Sequence, residues 1–281
     1  MIIATVNVNG IRAAARKGMG EWIEGAAPDV LLLQEVRAPE EITRDLISAE
    51  YQLVCNPSEL AGRAGVAVAV KNGIEIGAVR SGLPAGLGER ESEPPVDTGR
   101  WLEVDLPKLD LTVVSAYLHS GNASDEAKMT AKYSHLDRVS VRLGELADPA
   151  QRPLAHVLMA GDFNVVHDER DIKNWKPNHN KTAGVLDPEI AYLDRWMGAQ
   201  GDGDGLGFVD VQRALVGDEQ GPYSWWSQRG KAFDNNVGWR IDYQLTNPEF
   251  ARLASRTRID RAASYDLRWS DHAPVVIEYE V

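Results

Sequence analysis

Short apolar runs recur along the chain: MIIATV (1–6), VLLL (30–33), AGVAVAV (64–70), LTVVSAYL (111–118), HVLMAG (156–161) and PVVIEYEV (274–281). Their length and β-branched content predict buried strands. Helical patterns lie between them. Over 126–147, Met129, Tyr133, Leu136, Val139, Leu143 and Leu146 recur at steps of three and four, which gives a long amphipathic helix one apolar face. DPEIAYLDRWMG (187–198) puts Asp187 in N-cap position, Pro188 at the first helical position and Gly198 at the stop. Strands alternating with helices predict a layered α/β fold, and the alternation in EYEV adds antiparallel pairing at a sheet edge. There is no repeat of solenoid period. The Gly/Pro-rich stretch at 82–99 reads as a surface loop, so residues 1–281 are expected to form one domain.

Polar residues follow the apolar runs. MIIATV leads to Asn7 and Asn9, VLLL to Gln34 and Glu35, TVVSA to Tyr117, and HVLMAG to Asp162 and Asn164. Ligand sites of α/β sheets gather at strand carboxyl ends, where loops converge over a rigid frame. Residues two apart on an extended chain share a side, so Asn7 pairs with Asn9 and Asp162 with Asn164. One such ending is an ordinary turn. Repetition at one strand end after another argues for a site. Carboxylates and amide oxygens, without clustered His or zinc-type spacing, suit a hard ion such as Mg²⁺ or Mn²⁺. DGDGLGFVD (202–210) imitates a calcium loop but sets Leu206 and Arg213 at ligand positions. The closing RWSDHAPVVIEYE sets Asp271 and His272 just before a strand, an arrangement that by itself fits a hydrated turn.

Composition adds bounds. Of 281 residues, 43% are hydrophobic and 26% charged, which excludes a disordered or fibrous chain. No apolar run has membrane-spanning length, no secretory signal opens the chain, and Cys55 is the single cysteine; a cytoplasmic protein is expected. The Arg-rich, Lys-poor composition points to a bacterial source. A net charge of −12 opposes a polyanionic partner, yet basic residues cluster at 170–181 and 251–268, while acidic ones gather at 88–97.

NVNGIR (7–12), LLLQEVR (31–37), GDFNVVHDERDIKN (161–174), YSWWSQR (223–229), NVGWRIDY (236–243) and WSDHAP (269–274) occur in an order that resembles exonuclease III and the abasic-site endonucleases, within the endonuclease/exonuclease/phosphatase superfamily. GDFN and SDHAP belong to the whole superfamily; NVGWRIDY and YSWW are more specific to its DNA-repair branch. The resemblance implies a four-layer α/β sandwich, two packed mixed β-sheets flanked by helices. It implies a monomeric, Mg²⁺-dependent DNA-repair phosphodiesterase that cleaves 5′ to abasic sites in double-stranded DNA, with 3′→5′ exonuclease and 3′-end-cleaning activity.

By the same resemblance Glu35 and Asn9 would hold the ion, with Asp271 completing its hydration shell or a second ion site. Asp162 would orient or deprotonate the water, Asn7 and Asn164 would fix that carboxylate, and Tyr117 would bond the phosphate. His272 would face the phosphate with Asp242 on its other ring nitrogen. Arg37, Lys173, Asn174, Asn236, Arg240 and Arg268 would contact DNA phosphates, and Trp225, Trp239 and Ile241 would line a pocket for the baseless sugar, with Trp226 left to the core. The chain departs from the family pattern at Val6, at LHSG after Tyr117, and at GNAS (121–124), which carries no basic residue. Two other readings stay open: a phosphatase or phosphodiesterase acting on lipid or inositol phosphates, and a DNA-binding relative without catalysis. NVGWRIDY weighs against the first and the complete set of catalytic residue types against the second.

Overall fold

A computed structural model describes residues 1–83, 93–201 and 203–281. Two six-stranded sheets form its centre. The first runs β13 (Ala254–Ile259), β14 (Val275–Tyr279), β1 (Ile2–Asn7), β2 (Val30–Gln34), β4 (Val66–Lys71), β3 (Tyr51–Asn56); the second runs β5 (Val79–Ser81), β6 (Trp101–Leu106), β7 (Leu111–Tyr117), β8 (His156–Asp162), β12 (Asp242–Thr246), β9 (Val209–Asp210). A small ribbon pairs β10 (Trp225–Trp226) with β11 (Gly238–Trp239). Both sheets are mixed, and each has one parallel pair near its middle, β1 with β2 and β7 with β8. Every apolar run singled out above contributes a strand within a residue or two. The acidic half of the 82–99 loop and the start of DGDGLGFVD fall partly outside the described residues.

Side-chain alternation sorts the strands into layers. On β1, Ile3 joins the core between the sheets, whereas Ala4 and Val6 face Ile11, Ala14, Met19 and Ile23 of the flanking helices. On β7 and β8, Val113, Leu158 and Ala160 point between the sheets; Val114, Ala116, Val157 and Met159 face outward. The helix Glu126–Ala147 covers them with Leu136, Val139, Leu143 and Leu146, and the helix Asp187–Met197 adds Leu193 and Trp196. The order is helix, sheet, sheet, helix.

Two local expectations change. The helix at 187 begins with Asp187 inside it and Leu186 as the cap; Glu189 bends back instead, accepting from the Gly184 and Leu186 amides at 2.6 and 3.1 Å. EYEV does not end at a sheet edge, because β14 lies between β1 and β13, antiparallel to both. The strands beyond the strong runs, such as β6, carry charged residues: Glu103 and Asp105 are buried against Arg80 and Arg142, which masks the strand pattern. No described helix is long and apolar enough to cross a membrane.

The inter-sheet layer changes character along its length. The inward positions Ile3, Thr5, Asn7 and Leu158, Ala160, Asp162 each run from apolar to polar. Midway, Gln34 exchanges hydrogen bonds with Thr5 and donates to Ser115, so the polar side chains are matched before the cleft is reached. The polar end opens on the cleft that Glu35, Tyr117 and Asp162 line.

Candidate active site

The two parallel pairs deliver Asn7 and Glu35 from one sheet, Tyr117 and Asp162 from the other. Asp242 arrives on the antiparallel β12, directly opposite Asp162 in register, and His272 stands just before β14, whose Val275 pairs with Thr5. The last two therefore come from strand amino ends, which the carboxyl-end pattern alone does not anticipate. Gly161 of GDFN is required by the close approach of β7: at φ +146°, a Cβ there would stand 1.9 Å from the Ala116 carbonyl oxygen.

Asn7 Nδ2 bridges two carboxylates, donating to Glu35 Oε1 at 2.9 Å and Asp162 Oδ2 at 2.8 Å. Its own Oδ1 accepts from the Asn9 amide at 2.9 Å, and Asn9 Nδ2 donates to Asp271 Oδ1 at 2.9 Å. Asn164 holds Asp162 through its amide, 2.9 Å from Oδ1, and through Nδ2, 3.2 Å from Oδ2. His272 Nδ1 lies 2.8 Å from Asp242 Oδ2, which also accepts from Ser224 Oγ at 2.6 Å. The other ring nitrogen lies 3.8 Å from Asp162 Oδ2. Asn9, Glu35 and Asn164 all adopt left-handed backbone, φ +46°, +48° and +53°, a cluster of uncommon conformations centred on the cleft.

The ionisable groups are strongly perturbed. Burial drives Asp162 up to about 7, with His272 opposing and the Asp242 and Glu35 charges adding to the rise. Burial also disfavours the charged imidazole of His272, but Asp242 and Asp162 outweigh it and lift that group to about 10. Burial, reinforced by Glu35 and Asp162, holds the Tyr117 phenol well above its usual range, so it remains a donor. Asp271 is held below the usual carboxylate range: His272 and the Asn9 and Trp225 donors overcome its burial.

These groups open on a cleft of about 850 Å³, lined by Asn9, Glu35, Tyr117, Asp162, Asn164, Asp271 and His272 on one side and Trp225, Trp239 and Ile241 on another. Asn7 and Asp242 lie behind the wall, fully buried. The Trp225 and Trp239 rings meet edge to face at 5.4 Å, and Trp225 Nε1 donates to Asp271 Oδ2 at 3.3 Å. Trp226 is core.

The phosphate contacts anticipated from the sequence scatter. Arg37 lines the cleft and pairs with Glu35. Arg268 lines an adjoining hollow with Asn9 and Asp271, its guanidinium 4.0 Å from the Tyr265 ring centre. Lys173, Asn174 and Asn236 are exposed outside the cleft wall. Arg240 is corrected: its side chain is fully buried, paired with Asp171 at 2.7 Å and Asp210 at 2.7 Å, and cannot reach a phosphate. Sequence reasoning missed Arg100, whose guanidinium lies 4.6 Å from the centre of the Tyr117 ring, and Lys128 beside GNAS. The signal available for Arg100 was its position just before the buried strand β6.

The donor set fits a hard divalent ion. Glu35 and Asp271 supply carboxylate oxygens, and Asn9, with its Nδ2 spent on Asp271, keeps its amide oxygen free; the one thiol, Cys55, sits on β3 away from the cleft. The Arg37 guanidinium on Glu35 marks where this wall already gathers positive charge.

The family model described as the endonuclease/exonuclease/phosphatase family matches residues 4–272. The chain belongs to this family. Among its relatives, the exodeoxyribonuclease of Bacillus subtilis (strain 168) is 32% identical over 276 residues, 98% of each chain. The DNA-(apurinic or apyrimidinic site) endonuclease of Dictyostelium discoideum is 28% identical across 98% of this chain and 69% of its own. Among solved structures, an AP endonuclease from Archaeoglobus fulgidus superposes with a TM-score of 0.78 at 26% identity, covering both chains fully. The four-layer architecture inferred from the motifs is therefore the family's own.

Proposed function

We propose that the protein is a divalent-metal-dependent DNA-repair phosphodiesterase that works as one catalytic unit, cutting duplex DNA 5′ to abasic sites and processing 3′ ends. The observation that carries this reading is convergence: Glu35 after β2, Asp162 at the end of β8 and His272 before β14 meet on one cleft beside Trp225, Trp239 and Ile241. The full-length likeness to an exodeoxyribonuclease and to an AP endonuclease supports the substrate class.

In this reading Asp162 orients the attacking water and takes its proton as oxygen adds to phosphorus and the P–O3′ bond breaks; its raised pKa suits a base working near neutrality. Asn7 and Asn164 fix that carboxylate. His272, held as imidazolium by Asp242, turns its Nε2–H toward the phosphate, where negative charge grows in the transition state. Tyr117 adds a neutral donor. Mg²⁺, held by Glu35 and Asn9 with Asp271 nearby, would supply positive charge at the phosphate oxygens and leaving oxygen. The apolar Trp225–Trp239–Ile241 wall receives a sugar without its base, whose extrusion is cheapest where no pairing or stacking holds it.

Matched intact, abasic and recessed-3′ duplexes, digested with and without Mg²⁺, test the reading. Mg²⁺-dependent nicking immediately 5′ to the abasic site is expected. Inert abasic DNA together with hydrolysis of an inositol phosphate would replace it with the phosphatase alternative.

A further inference from the structure

A second group of ligating side chains lies behind Tyr117 and takes no part in the chemistry above. Asp97 lies within the turn before Arg100, His119 stands two residues past Tyr117 in the LHSG stretch, and His135 projects from the buried face of the helix Glu126–Ala147. Distant in sequence, they had shown no zinc spacing. In space, His119 Nε2 lies 2.5 Å and His135 Nδ1 3.8 Å from the same oxygen, Asp97 Oδ1. One ligand atom from each residue lies within 4.8 Å of the others. The two rings meet edge to face at 5.1 Å.

The decisive residue is His135. Its side chain is fully buried, and among the described residues neither ring nitrogen has a hydrogen-bond partner. An imidazole with an unmatched donor and an unmatched lone pair is a poor filler for this buried face, whose other polar members, Lys132 and Ser140, are both matched by partners. His119 by contrast is explained by its bond to Asp97 alone, so a simple latch accounts for two of the three residues and not for the third.

We propose that Asp97, His119 and His135 form a metal site for a borderline transition ion of the zinc class, separate from the Mg²⁺ site at Glu35. Two imidazoles and a carboxylate are ligands such ions take at about 2.0–2.2 Å, which in a tetrahedral arrangement sets ligand atoms roughly 3.3–3.6 Å apart. The observed separations straddle that spacing. Arg138 bonds the far oxygen of Asp97, the outer support that ligating carboxylates carry. With two imidazoles and a single carboxylate in the cluster, nitrogen ligands predominate, which favours zinc over magnesium. The ion would tie together the Asp97 turn, the end of β7 and the long helix, bracing Arg100 against Tyr117 on the phosphate side of the cleft.

The test uses the full-length protein stripped of metal and titrated with Co²⁺ as a spectroscopic probe, then with Zn²⁺. One equivalent of Co²⁺ with visible absorption of four-coordinate intensity is expected, displaced by one equivalent of Zn²⁺. Zn²⁺ at a hundredfold excess over Kd should raise Tm by roughly 5 °C or more. His135→Leu should abolish the absorption and the Tm shift while Mg²⁺-dependent nicking stays within about threefold, and Glu35→Gln should keep both metal signals. His119→Gln, which retains a hydrogen bond to Asp97, provides the same comparison should the leucine variant fold poorly. Absence of stoichiometric Co²⁺ or Zn²⁺ binding by the wild type, or a signal untouched by both histidine variants, overturns the proposal.

Discussion

His272 is held from two sides, by Asp242 on Nδ1 and by the Asp162 carboxylate near Nε2. Removing its positive Nε2–H in His272→Asn should lower kcat by at least ~10²-fold, the loss typical of one transition-state donor; steady-state turnover on an abasic duplex measures it. The pH profile has two signs. Asp162 must be ionised, so kcat/KM should fall as pH drops through about 7; His272 must be protonated, so it should fall again as pH rises through about 10. Asp242→Asn removes the charge that supports the imidazolium, and the alkaline limb should move to lower pH while the acid limb does not rise. Glu35→Gln should raise the Mg²⁺ concentration for half-maximal rate, read directly from a Mg²⁺ titration. Glu35 and Asp162 were legible twice over, from the polar ends of their strands and from the motifs, whereas Asp242 and His272, at strand amino ends, were legible from the motifs alone. Arg240 was not: within NVGWRIDY it looks like any basic residue of a DNA-binding segment, and only coordinates reveal the Asp171 and Asp210 carboxylates that enclose it.

That ion pair belongs to the scale of elements, since it locks β12 and its approach to the 168–171 turn and to β9. Arg240→Met would strand buried carboxylates, with Arg213 still on Asp171, and should cost about 3–5 kcal/mol in urea unfolding. The salt dependence of DNA affinity should stay the same in that variant. Elements with a strong period were readable: the long helix forms with its apolar stripe inward, as the spacing from Met129 to Leu146 predicts. What the stripe hid were Lys132 and His135 on the same buried face. Lys132 is matched by Glu189 at 2.6 Å and by the Asn164 carbonyl at 3.0 Å, partners contributed by segments far along the chain. β6 escaped for a related reason, because the buried acids on its helix-facing side become acceptable only once Arg80 and Arg142 fold over them.

For the molecule as a whole, a net charge of −12 and a DNA substrate are reconciled only if positive groups are concentrated near the cleft. Arg37 at its wall and Arg268 in the adjoining hollow are placed for this. Plots of log Kd against log salt should therefore be steep, and Arg37→Ala or Arg268→Ala should each reduce the slope by roughly one. One feature of the first sheet bears on how the protein is made. β14 is a late segment of the chain, yet it fills an interior place between β1 and β13 and brings His272 with it. A nascent polypeptide that has emerged only through β12 thus already displays Glu35, Asp162 and Asp242 but lacks both a central strand and the imidazole. Such a chain would be unable to cut DNA, and cutting competence would require β14 to be made and inserted between its neighbours.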